Sequence, residues 1–94
     1  MEIEKLISVL EETLILLRSS ESSDYSSMPV DEMIEKLAIE LEKAGSSQAM
    51  DAELLSFLFA PTGPIQETAI DNGWGEEFLR ISKVVDQFTG ESSS

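Results

Sequence analysis

Apolar residues recur along this chain at steps of three and four. Ile3, Leu6, Leu10, Leu14 and Leu17, with Ile7 beside them, form one stripe and predict a helix over 2–18. Glu2 and Glu4 suit its positive end and Arg18 its negative end. Val9, Ile15 and Leu16 lie off the main stripe. That surplus predicts either a central helix covered on two sides or a face that meets a second copy. Val30, Ile34, Leu37 and Leu41, widened by Met33, Ala38 and Ala44, predict a second helix over 29–44. Pro29 fits its first turn, and Lys43 and Gly45 fit its end.

The next apolar block holds Leu54, Leu55, Phe57, Leu58 and Phe59. Burying three of these side chains contributes about 5–8 kcal/mol, so the block belongs in a core. It predicts a third helix over 48–59, capped at Ser46-Ser47, with Met50, Leu54, Phe57 and Leu58 facing inward. Pro61 ends it, because proline lacks an N–H and disfavours a helical Ala60. Pro64 opens a fourth helix over 64–72, with Ile65, Ala69 and Ile70 as its apolar side and Asn72-Gly73 as its close. Gly75 is the expected cap of a fifth, over 76–88, whose inner face is Phe78, Ile81, Val85 and Phe88. Trp74 and Leu79 then have the spacing of a hydrophobic staple, so the indole is expected to fix the corner between the last two helices.

No stretch alternates cleanly between apolar and polar residues. The fold class expected is therefore all-α, a compact bundle of four to five helices around a single core. One helical domain spans 1–94, with a Ser-rich loop over 19–28, in which Tyr25 is the one anchor, and a frayed tail over 89–94.

Charge changes the picture of partners. Nineteen acids stand against six Lys and Arg, for a net charge of −13. Nucleic acid and anionic membranes both need clustered cations and are not expected partners. A basic protein is. There is no His and no Cys, which removes thiolate and imidazole metal sites, disulfides and the usual nucleophile–base pairs. The apolar runs are far too short to span a bilayer, and the first ten residues carry acids where a secretory signal carries bases. A cytoplasmic location is expected.

Carboxylates are the remaining chemistry. The segment from Asp71 to Glu77 looks like a calcium loop, but its third and fifth positions are Gly73 and Gly75, which offer no side-chain oxygen. Glu67 and Asp71 share a helix face, and Glu76 and Glu77 follow within one turn. Such pairs can do general acid–base work or hold a hydrated Mg²⁺, yet among nineteen acids they also arise by chance. No cofactor, metal or catalytic residue is expected. A partly exposed Trp74 rimmed by Glu67, Asp71, Glu76 and Glu77 is the candidate partner-binding site, an aromatic anchor for an Arg- or Lys-rich protein.

The expected function is thus a non-catalytic acidic interaction domain covering a basic protein. Its composition is similar to that of immunity proteins and antitoxins, a likeness that no motif carries. The alternatives are a homodimer or assembly subunit using Val9, Ile15 and Leu16, and, last, a carboxylate enzyme using Glu67 and Asp71.

Overall fold

A computed structural model describes residues 3–21, 28–46, 48–60 and 63–89. It contains five helices and, among the described residues, no strand: α1 Ile3–Arg18, α2 Val30–Gly45, α3 Ala52–Leu58, α4 Pro64–Asp71 and α5 Gly75–Thr89. The Ser-rich segment from 22 to 27, with Tyr25, and the tail from 90 onward lie outside the described residues.

The order of packing is α2 on α1, α1 on α5, and α5 on both α3 and α4. Leu6, Leu10, Leu14 and Leu17 turn into the core from α1, and Met33 and Leu37 from α2. Leu55 and Leu58 come from α3, Ile65 and Ala69 from α4, and Phe78, Ile81 and Val85 from α5. Phe59, just past α3, stacks on Phe78 with ring centroids 6.2 Å apart, within the range where aromatic pairs attract. The radius of gyration is 12.2 Å, matching the roughly 12 Å of a compact chain this long. Val9 is 5% exposed, covered within the chain, and Leu16 is half-buried, while Ile15 is 66% exposed. The surplus stripe on α1 is therefore mostly internal, and of those three side chains Ile15 alone is open.

Polar links between elements help close the bundle. Arg80 of α5 grips Glu12 of α1 with both terminal guanidinium nitrogens, Nη1 lying 3.1 Å from Oε1. That hydrogen bonding, which outweighs the opposing effect of burial and is aided by the attraction of the two charges, holds the Glu12 carboxyl below its usual range. Another link is Glu40, only 1% exposed. Its Oε1 accepts the Asp51 N–H at 2.7 Å and its Oε2 accepts from Lys43 Nζ at 3.1 Å. Asp51 in turn accepts the Leu54 N–H and caps α3.

That cap corrects the expected start of the third helix. Asp51, held in an extended conformation by Glu40, caps α3, so the helix begins at Ala52 rather than Gln48. The buried face also differs from the expected one: Leu55 and Leu58 are buried and Phe57 is 50% exposed. Gly45 likewise remains inside α2. The helix ends at Ser46, whose hydroxyl donates to the carbonyls of Glu42 and Lys43.

Candidate functional site

The corner between α4 and α5 is built by backbone chemistry. Gly73 takes φ +83°, a left-handed conformation that glycine adopts without the strain a Cβ brings. The chain then folds back on α4. The Gly73 N–H reaches the Ile70 carbonyl at 3.3 Å, and the Trp74 N–H reaches that of Ala69 at 2.9 Å. This paired closure of a helix C-terminus is the Schellman motif, with Trp74 and Ala69 as its accompanying apolar pair. The Trp74 carbonyl immediately accepts the Phe78 N–H at 3.0 Å, so α5 starts one residue earlier than expected. Gly75 is its first helical residue, and Glu76 and Glu77 follow in the first turn, where the helix dipole favours carboxylates.

This shift of one residue corrects two expectations. A staple with Leu79 does not form, for Leu79 is 54% exposed. Trp74 is 5% exposed, so the indole is an internal strut and not a surface anchor. Its Nε1–H donates to Ser20 Oγ at 2.9 Å. Asn72 beside it makes a two-way bond to the backbone of Glu21, accepting the N–H at 3.0 Å and donating to the carbonyl at 2.9 Å. Its amide also donates to the Thr68 carbonyl at 2.9 Å. The exit of α1 is thereby latched to the corner. Sequence reasoning had no access to this latch, since its partners lie 51 to 54 residues apart.

The acids around the corner fall into two groups. Glu76 and Glu77 line an open groove of about 650 Å³ between α4 and α5, along with Ile70 and Leu79, whose side chains are 58% and 54% exposed. Glu67 is half-buried and Asp71 exposed on α4, and neither lines that groove. Ile70 was expected to face inward; instead its Cγ1 lies 3.7 Å from the point where a side chain on Gly75 would begin, so it lies across the start of α5.

Cations are distributed unevenly. From residue 44 to residue 79 the chain has no Lys or Arg, but it holds Asp51, Glu53, Glu67, Asp71, Glu76 and Glu77. Lys5, Arg80 and Lys83 instead gather along a separate groove between α1 and α5. Among the described residues no three carboxylates lie together as a metal site would need, and no helix is long and apolar enough to cross a membrane. The chain matches no protein-family model, no characterised protein and no solved structure.

Proposed function

We propose that this chain is a non-catalytic acidic interaction domain that covers or holds a basic protein, in the cytoplasm. The observation that carries the proposal is the cation-free run from 44 to 79. It spans α3, α4 and the first turn of α5, with Asp51, Glu53, Asp71 and Glu76 exposed. Helices free of cations present a field of one sign, which steers a positively charged partner and repels wrong ones. Exposed charges are screened beyond about 8 Å at physiological ionic strength, so such a complex weakens steeply with salt.

The test starts from partners recovered with the full chain at low salt. Each is then titrated calorimetrically at rising salt, against the parent and a variant carrying Glu53→Lys and Asp71→Lys, two exposed acids. A basic partner whose affinity falls with salt and with charge reversal is the expected result. Partners that are neutral or acidic, or a complex indifferent to salt, refute the proposal.

A further inference from the structure

We propose that the groove between α4 and α5 receives a short amphipathic segment of the partner, an apolar face flanked by Lys or Arg. This rests on the reading of the chain as a domain for basic partners and says where such a partner docks. Three features combine there. Ile70 and Leu79 are both more than half exposed and lie on the two helices that form the groove. Glu76 and Glu77 line it, while no Lys or Arg does. Gln66, Gly73 and Gly75 complete its lining: a side chain at Gly73 would meet nothing within 4 Å, so the space above the corner is open to an incoming chain.

Charge complementarity selects the occupant. A wholly polar basic segment would leave Ile70 and Leu79 in water, and a wholly apolar one would cover Glu76 and Glu77 while bringing no cation of its own, with Arg80 beside Glu77 the one already at hand. A segment with both characters satisfies both pairs, in the manner of an amphipathic helix laid in a groove. A small apolar patch inside a charged rim is also where binding energy concentrates in protein interfaces.

The probe is a fluorescein-labelled helical peptide of about twelve Leu and Lys residues with all Leu on one face. Two controls accompany it: the same composition with Leu scattered, and a peptide with Glu in place of Lys. Anisotropy gives affinity, and amide chemical shifts of the domain give location. The test variants are Ile70→Ser with Leu79→Ser, and Glu76→Lys with Glu77→Lys. These side chains are exposed or half-buried at the surface, and a melting curve for each confirms that the fold is kept.

The expected result is binding of the amphipathic Lys peptide with shifts confined to 66–79. Each double variant should weaken it at least about tenfold, and the scattered control should bind more weakly. Unchanged affinity for the Ser variant, or shifts centred elsewhere, would overturn the groove assignment while leaving the domain a binder of basic proteins. Failure of both Lys peptides to bind, or equal binding of the Glu peptide, would overturn the groove and the proposed function together.

Discussion

Replacing Glu40 by Ala should be the most costly single polar substitution in this chain. The carboxylate is 1% exposed, and it accepts the Asp51 N–H at 2.7 Å and the Lys43 ammonium at 3.1 Å. Hydrogen bonds to a charged group contribute about 1.5–3 kcal/mol, and truncation also strands the donor that remains. Lys43 is partly exposed and finds water, so the loss falls mainly on the Asp51 N–H. Alanine returns a few tenths of a kcal/mol through its better helix propensity. The net is about 2–3 kcal/mol, and at roughly 4–8 °C per kcal/mol for a domain this size the melting temperature should drop by about 10–20 °C. Glu40→Gln keeps both an acceptor and the volume, and should cost under about 1 kcal/mol. Far-UV circular dichroism melts of the two variants measure the difference. Hydrogen exchange at the Asp51 and Leu54 amides locates it, because Glu40 orients the residue that caps α3. A Gln variant as unstable as the Ala variant, or an Ala variant within about 2 °C of the parent, would refute the role assigned to Glu40 as the acceptor that sets the start of α3.

Other substitutions and conditions test separate parts of the structure. Asn72→Asp keeps the shape but removes both N–H donations, to Glu21 and to Thr68; it should destabilise by about 1–3 kcal/mol in urea titration, and an unchanged midpoint would show the latch to be idle. Gly63→Ala would place a Cβ 2.9 Å from the carbonyl oxygens of both Ala60 and Phe57, so a loss of about 1–3 kcal/mol is expected, and a stabilised variant would contradict the geometry of that turn. Lowering pH from 7 toward 5, or adding moderate salt, should raise the melting temperature by relieving repulsion among the acids. Further acidification reverses the trend, in part through Glu12. Its folded carboxyl titrates below the ordinary glutamate range because Arg80 hydrogen-bonds it, so its contribution is whole above that range and is lost as pH falls through the depressed value. Glu12→Gln should make the acid limb shallower, and an identical limb in both proteins would exclude the pair as a contributor.

The helical plan was legible because it depends on local spacing. Stripes such as Leu6, Leu10, Leu14 and Leu17 have one way to be buried, and Pro64 and Gly73 act where backbone sterics require them to act. What escaped was whatever depends on a competitor elsewhere in the chain. Ser46-Ser47 is a fair cap signal, but Asp51 wins because Glu40 holds its backbone N–H. Glu40 itself had a readable sign: it continues the buried series Val30, Met33, Leu37 at helical spacing, and only its charge hid it. At the corner, a shift of one residue turned Trp74 inward and Leu79 outward. The acids were placed correctly on their helices, but which of them border an apolar groove depended on Ile70 lying across Gly75.

The corner that presents the acidic groove depends on an indole locked inside it, and Trp74 is the sole tryptophan. Its fluorescence therefore reports that point alone. Acrylamide quenching of the folded chain, compared with the chain unfolded in urea, is the most direct measurement. An indole 5% exposed and bonded to Ser20 predicts blue-shifted emission and quenching several-fold weaker than in urea. Coincident emission and quenching in the two states would mean that Trp74 lies open to water and that the corner is not built in this way.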